Sequence, residues 1–579
     1  MYLFNLILVL IISGIISFWL PKNFNFLKKI LIGISIVFSF NIFFGYILFL
    51  LNISANSSIA CASYIVTILM SCFVSVKSKK LNKNNFIWTK IDSYVIISII
   101  IFTLLLLIPS GITKGKFRGL ALPPGGDMSN HFFIANEMSK SGKYLYFDKK
   151  LDSYIPSGLQ NYPQGVHYNF TFLNGSYSYQ NNVNNLLERY QVYYLIVFIL
   201  LFAIFINISL EVLARKLNMA EATIILLLGS EIFLSSLFGS IYLEGFISQI
   251  FCLFMLLMLG SVVYSNNGFN SKLWIAIILF FNISIASTWY FMSPIAFFIS
   301  AYVIIGSKIK HRMVITVFLS LAILICSIPS LLGGSLTNIN AAGGIEPIYN
   351  IYLLLFVSAT IFMVWRHKNT NINIVPNYLK IFVICTLFCL LLGFYQLVKT
   401  GSVTYYFQKS LFTPALILAI FYGPCLVEIL RLSKDYYKKV NEKIYLASFS
   451  LAITILFSFL IIFRFDYNQI NFGLLVKNNY MSFQDLKTIE TISRIHKDDG
   501  KALAFINTGS ALNDYVYSKW STAFNLNFTK DFGSMLDNDI NLSDKYRRLQ
   551  KSDILGPSDI SIPNDRIELI DFKTGKIVK

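Results

Sequence analysis

Charge is scarce in this chain. Asp, Glu, Lys and Arg together make up 13% of its 579 residues, while 55% are hydrophobic and 16% aromatic. A soluble protein of this length needs a far more polar surface, with roughly a quarter of its residues charged, so that class is excluded. Acidic residues are the scarcer sign, 29 against 48 Lys and Arg, for a net charge of +19. Histidine occurs five times and cysteine seven times, and every cysteine lies inside an apolar run. With none in a long polar loop, neither disulfides nor a zinc site is expected; Cys385 and Cys389, one helical turn apart, read as packing residues. No internal repeat and no glycine-rich phosphate loop stands out. A basic n-region and a small-residue cleavage site are missing from "MYLFNLILVLIISGIISFWLPKNF", which reads as a retained first span.

What the chain has is long apolar runs. About fourteen are long enough for a hydrocarbon core about 30 Å thick: roughly 2–20, 29–51, 59–76, 92–110, 191–209, 220–239, 246–265, 272–287, 290–306, 314–332, 348–365, 379–398, 410–429 and 445–464. The expected fold is an all-α polytopic membrane protein. Around Thr288 and Trp289, "ISIASTWYFMSP" fits either a tight turn between two short spans or a broken helix lining a cavity.

The basic residues sit in alternate short loops: Lys22, Lys28 and Lys29; Lys77 to Lys90; Arg215 and Lys216; Lys308, Lys310 and Arg312; Arg366 and Lys368; Arg431 to Lys443. This is the positive-inside pattern rather than a phosphate-binding face, so no nucleic-acid partner is expected and these loops are assigned to the cytoplasm. The N-terminus, the loop 111–190 and the tail from about 465 then fall outside, on a multi-pass protein of the plasma (inner) membrane whose first partners are membrane lipids. The divisions are 1–110, N-terminal spans; 111–190, the outer loop; 191–464, the main span core; and 465–579, a small extracytoplasmic α/β segment. In the tail "KALAFINTG" reads as a strand, "ALNDYVYSKW" as a helix or a further strand, and "RIELIDFKTGKIV" as a hairpin.

The outer loop carries the chemistry-bearing residues. "PPGGDMSNHFFIANEMSKSGKY" reads as a helix from Asp127 to about Ser141, ended by Gly142. Its apolar residues occupy no narrow stripe, which suggests a helix lying at the membrane interface. Asp127, Asn130 and His131, at i, i+3 and i+4, share its first face. Asp127 is thus either a plain N-cap or a carboxylate base at the mouth of a cavity. "NYPQGVHYNF" then places His167 after a Tyr-Pro-x-Gly turn, and a loop tethered at both ends can bring Asp127, His131 and His167 together.

Three further places fall on the same side. Glu244, in "IYLEGFISQ", is either a solvated carboxylate or a second acid of the site. "KTGSVTYYFQKSLF" puts Tyr405, Tyr406 and Lys409 at the outer start of a span, where Lys409 breaks the positive-inside pattern. It either snorkels to the interface or binds a phosphate. Arg464, where the last span ends, is a weaker phosphate candidate beside lipid headgroups.

The Asp-x-x-x-His of residues 127–131, the short Gly-terminated helix and the Tyr-Pro-x-Gly-x-His of residues 162–167 resemble integral-membrane glycosyltransferases of the GT-C superfamily. The best-known members place this loop directly after the first span. Here about four spans precede it, as in a divergent bacterial branch with extra N-terminal helices. The resemblance implies an enzyme that moves a sugar from a polyprenyl-phosphate donor to a glycan, lipid or protein acceptor of the cell envelope. It implies Asp127 as the catalytic carboxylate and a basic residue, Lys409 or Arg464, on the lipid phosphate. Asn130, Tyr162, Glu244, Tyr405 and Tyr406 join the substrate-binding set. His131 and His167 would orient the acceptor or, with Asp127, hold a divalent ion such as Mg or Mn. The leaving group is already a stable phosphate, so a base and a cation suffice, and a single displacement inverts the anomeric carbon. The competing classes are a polysaccharide polymerase or O-antigen-ligase-like enzyme, whose large loop tends to come late and to be lined with Arg, and a lipid-carrier flippase or transporter. The latter needs ionisable residues within the membrane, of which Glu231 is the clearest here.

Overall fold

The computed structural model describes residues 1–77, 88–114, 126–147, 162–175, 183–213, 217–234, 238–243, 245–264, 271–332, 351–367, 374–403, 405–436, 488, 491, 504–507, 520 and 568–571. Four helices come first: α1 (Tyr2–Ser17), α2 (Phe26–Leu50), α3 (Ser57–Lys77) and α4 (Lys90–Lys114). Two shorter ones follow in the loop, α5 (Gly126–Ser141) and α6 (Gly165–Asn174). The core continues with α7 (Val183–Val212), α8 (Met219–Leu234), α9 (Phe238–Leu243), α10 (Ile247–Val263), α11 (Ser271–Thr288), α12 (Ser293–Gly306), α13 (Arg312–Leu332), α14 (Ile351–His367), α15 (Ile374–Thr400), α16 (Tyr405–Ala419) and α17 (Tyr422–Tyr436).

Helices fall within each expected span from 2–20 to 410–429, the latter divided between α16 and α17; 445–464 lies outside the described residues, as do 235–237 and 348–350 within two other spans. Six stretches are long and apolar enough to cross a membrane: Phe26–Leu50, Leu186–Val212, Ser271–Thr288, Arg312–Leu332, Ile374–Thr400 and Tyr406–Leu432. The chain is a helical membrane protein. On α13 the exposed side is made of Val314, Val317, Phe318, Leu321 and Leu324, and on α15 of Leu387, Leu390, Leu391 and Phe394. Such faces are stable against lipid rather than water.

The Trp289 region is a turn. The chain leaves α11 at Thr288, passes through an extended Trp289 and a single 3₁₀ turn, and enters α12 with Pro294 in its first turn. Asn282 Nδ2 donates to Ser300 Oγ at 2.8 Å. Eighteen residues along one straight helix would lie about 27 Å apart, so α11 and α12 run antiparallel.

The bundle has two chemically different ends. At one, the starts of α2, α4 and α8 meet the finishes of α7, α14 and α17. Asp92 accepts from the Leu27 amide at 2.6 Å, and Lys28 pairs with Glu211 at 2.6 Å. Arg431 forks onto Glu221 at 2.7 and 2.9 Å and reaches Glu428 at 2.7 Å; Arg366 joins Glu428 at 3.0 Å. Lys28, Arg366 and Arg431, drawn from separate basic loops, thus share one end. The other end carries α5 and α6. There Asn5 of α1 donates to the Leu173 carbonyl at 2.9 Å, and the Ala55 amide to the Gly142 carbonyl at 2.9 Å.

Two expectations change. Rather than lying at an interface, α5 is packed into protein: Met128, His131, Phe132, Phe133, Ile134, Ala135 and Met138 are all buried. Its polar residues Ser129, Asn136, Glu137 and Ser139 are buried as well, with Glu137 paired to Lys140 at 2.6 Å, so burial all round is offset by internal partners rather than by a water face. In the tail, Ala504–Asn507 forms a strand as expected, called β1, but Glu568–Asp571 (β2) pairs with it in parallel, Ala504 opposite Glu568. The described partner of "ELID" is therefore this distant strand, and the second arm of the expected hairpin lies outside the described residues. Of "ALNDYVYSKW" only Trp520 is described, and it is fully buried.

Candidate functional site

Glycine contacts set the loop helices in place. Gly142 ends α5 in the left-handed region, φ +68°, its amide returning to the Met138 carbonyl at 2.8 Å. That is the αL cap which a Cβ disfavours. The N-terminus of α6 sits so close to the end of α11 that a Cβ on Gly165 would lie 2.7 Å from Thr288 Oγ1 and 3.0 Å from the Ser287 carbonyl. The Tyr-Pro-x-Gly turn thus earns its glycine by close approach. Gln164 ties the two segments together: its side chain accepts from the Leu145 amide at 2.7 Å, and its own amide donates to Tyr146 Oη at 3.0 Å. Tyr144 stacks on both Tyr146 and Tyr168, at centroid distances of 5.4 and 4.5 Å.

This packing brings the two loop histidines into contact. His131 Nδ1 and His167 Nε2 are 3.1 Å apart, and His167 Nδ1 is 3.1 Å from Tyr190 Oη on α7. His167 and Tyr190 are fully buried, and His131 keeps 5% of its surface. Burial, then the positive charge of nearby Lys409, holds His131 down to about 3. Burial and the neighbouring His131 hold His167 well below the ordinary imidazole value. Both rings are neutral at physiological pH. The Tyr162 ring meets His131 edge-on at 5.3 Å.

Lys409 comes from α16. It is buried, its ammonium 3.4 Å from the centroid of Phe246, and its carbonyl accepts from Gln249 Nε2 at 2.9 Å. A cation over an aromatic face gains about 2 kcal/mol when desolvated. Phe246 follows Gly245, which takes φ +84° and lies so near α5 that a Cβ there would be 2.7 Å from the Met128 amide nitrogen. The link between α9 and α10 thus joins Lys409 to the first turn of α5. Tyr406, one turn before Lys409, stacks on Phe291 at 4.7 Å. The tail reaches the same end: the Trp520 ring lies 5.9 Å from Phe132, the residue after His131.

The expected residues therefore divide. His131, His167, Tyr162 and Lys409 converge. Tyr406 lies beside them on α16, half-buried, and Asn130 is half-buried on α5. The helix begins at Gly126, so Asp127 is its second residue rather than its N-cap, four before His131; its side chain lies outside what is described, as does that of Tyr405, the first residue of α16. Glu244 and Arg464 lie outside the described residues. As for a metal, both ring nitrogens of His167 are engaged, by His131 and Tyr190. Among the described residues no three His, Cys, Asp or Glu side chains converge.

Several participants escape a reading of the sequence. Tyr190 belongs to "ERYQVYYL", where the hydroxyls of Tyr190, Tyr193 and Tyr194 at i, i+3 and i+4 are the only signal. Asn41, a lone amide in "FSFNIFF", donates to Tyr64 Oη and Asn169 Oδ1, both at 2.9 Å, and Asn169 donates to Tyr193 Oη at 2.9 Å. This buried polar chain holds α6 against α2, α3 and α7. Phe246 and Trp520 carry no sequence signal.

No known protein family matches the chain, and no curated protein matches it.

Proposed function

We propose that the protein is a membrane glycosyltransferase of GT-C type. It moves a sugar from a polyprenyl-phosphate donor to a cell-envelope glycan, lipid or protein on the outer face, with inversion. The observation that carries this reading is the convergence of His131, His167, Tyr162 and Lys409, from three separate stretches of chain, at the end of the bundle opposite its clustered ion pairs. The positive-inside pattern assigns that ion-paired end to the cytoplasm of an inner-membrane protein with about fourteen spans, and the loop and tail to the outside. A buried ammonium beside neutral hydrogen-bonding rings suits a phosphate that gains charge as it leaves.

Asp127 is the base for the acceptor hydroxyl. It sits in the first turn of α5, where the helix dipole favours the carboxylate. Lys409 binds the donor phosphate, and Tyr162, Tyr406 and Asn130 flank the sugar or acceptor. A divalent ion is not required by this scheme. The test is transfer of labelled sugar from polyprenyl phosphate to extracted envelope acceptor by membranes carrying each variant. Asp127→Asn should lose at least roughly 10²-fold, the low end for a positioned general base. Lys409→Ala should raise the donor requirement, and Lys409→Arg should restore part of it. Near-wild-type transfer by Asp127→Asn at equal expression would reject the mechanism.

A further inference from the structure

The hydrogen-bonded row Tyr190–His167–His131 has a direction, and the direction follows from its closed end. Tyr190 Oη is buried and makes one hydrogen bond among the described residues, to His167 Nδ1. A phenol always carries its proton under these conditions. If His167 Nδ1 were protonated and donated to Tyr190, the phenol proton would be left buried without an acceptor, an arrangement buried polar groups avoid. Tyr190 therefore donates to His167 Nδ1. A neutral imidazole has one N–H, so the His167 proton is on Nε2, and it points at His131 Nδ1 at 3.1 Å. His131 Nδ1 is then the acceptor, which puts the His131 proton on Nε2.

The open end fits this assignment. His131 Nε2 has no protein partner among the described residues, and His131 is the one ring of the three with residual exposure. The Tyr190 ring is held by Phe170, edge-on at 4.9 Å, and by Phe132 at 5.8 Å, so its hydroxyl is aimed by packing. Lys409 lies near enough for its charge to act on His131.

We infer that Tyr190 is a positioning residue: acting through His167, it fixes the tautomer of His131 so that His131 presents an Nε2–H donor to an anionic oxygen held beside Lys409. Under the glycosyltransferase reading, on which the identity of this ligand rests, the oxygen belongs to the donor phosphate. His131 then assists the leaving group rather than orienting the acceptor. The tautomer assignment itself stands apart from that reading.

The five histidines make a ¹⁵N-histidine spectrum of the full chain in nanodiscs tractable, with His131→Gln and His167→Gln used to assign the rings. At neutral pH both His131 and His167 should be protonated at Nε2. Protonation of His131 at Nδ1 overturns the inference outright, and this measurement needs no variant at Tyr190. Tyr190→Phe keeps the ring and removes only the hydroxyl; it should convert the pair to a mixture of tautomers, whereas a merely structural tyrosine would leave them unchanged. Farnesyl monophosphate is the ligand probe. It should shift the His131 Nε2 signal in the wild type and bind about twofold more weakly to Tyr190→Phe, the loss expected when about half of the rings carry the wrong tautomer. Expected tautomers with no response to the probe would overturn the phosphate assignment and, with it, count against the glycosyltransferase reading, while the positioning role of Tyr190 would stand.

Discussion

Acid should unfold this protein through its two paired histidines, by an amount that can be worked out. In an unfolded chain an imidazole titrates near 6.5. In the fold His131 is held to about 3, first by burial and then by Lys409, and burial also holds His167 far down. The bonding adds a reason: with His167 Nε2–H aimed at His131 Nδ1, a proton arriving on that nitrogen breaks the bond between the rings. A depressed folded value means the contribution is complete above pH 6.5, where neither state binds the proton. Below that the unfolded chain takes a proton that the folded one refuses, and stability falls by about 1.4 kcal/mol per pH unit for each ring until the folded value is reached. From pH 6.5 to 5.0 His131 alone should remove about 2 kcal/mol, with His167 acting in the same direction. That corresponds to a few degrees of melting temperature. Tryptophan fluorescence melts in nanodiscs at pH 7.5 and 5.0 measure it, comparing the wild type with the double variant His131→Gln, His167→Gln. Both proteins keep the other three histidines, so the difference isolates the pair. An equal acid-induced drop in the two would refute the neutral-pair argument.

Gly165→Ala should cost about 1–3 kcal/mol, because the new methyl meets Thr288 Oγ1 and the Ser287 carbonyl and backbone cannot yield cheaply; a lower melting temperature together with a disturbed His131–His167 ¹⁵N signature would confirm it. Arg431→Met should destabilise by about 3 kcal/mol, since Glu221 and Glu428 are buried and, among the described residues, only Glu428 keeps a second cation, Arg366. Adding Glu221→Gln should recover part of that loss in the same melt. Trp520→Ala should release the tail from Phe132 without disturbing the spans; limited proteolysis would then cut the tail faster, and unchanged cutting would mean that the ring contact does not hold it.

The helical membrane class was legible because long apolar runs have one stable environment, and six stretches are long and apolar enough to cross a membrane. At Trp289 the sequence left a tight turn and a broken helix both open, and the structure forms the turn. The histidine pair was legible in outline, since both rings lie in one loop tethered by flanking helices. The burial of α5 was not: Met128, Phe132, Phe133 and Met138 spread around the helix, a pattern shared by an interfacial helix and a buried one. Tyr190 was hidden because a tyrosine in an apolar run is usually packing, and only its distance to His167 sets it apart. The pairing of Glu568–Asp571 was hidden because strand partners are chosen by the fold, whereas a nearby turn signal favours a local hairpin.

The site draws on contacts spread along the chain. The row of three rings is nearly local in sequence, taken from α5, α6 and the start of α7. Its fit against the bundle is not. Gly165 requires the end of α11, Gly245 brings the α9–α10 link onto α5, and Lys409 arrives only with α16. Lys409 is held in turn by Phe246 and Gln249, on that link and on α10, so its position depends on those elements. Beyond α16, α17 is tied at the far end by Arg431 to Glu221 of α8, the helix that leads into α9. The ion-paired end thus fixes both helices whose continuations carry Lys409 and Phe246. A change at Arg431 acts on the opposite end through this frame, which is why its effect on stability must be measured before any effect on transfer is ascribed to chemistry.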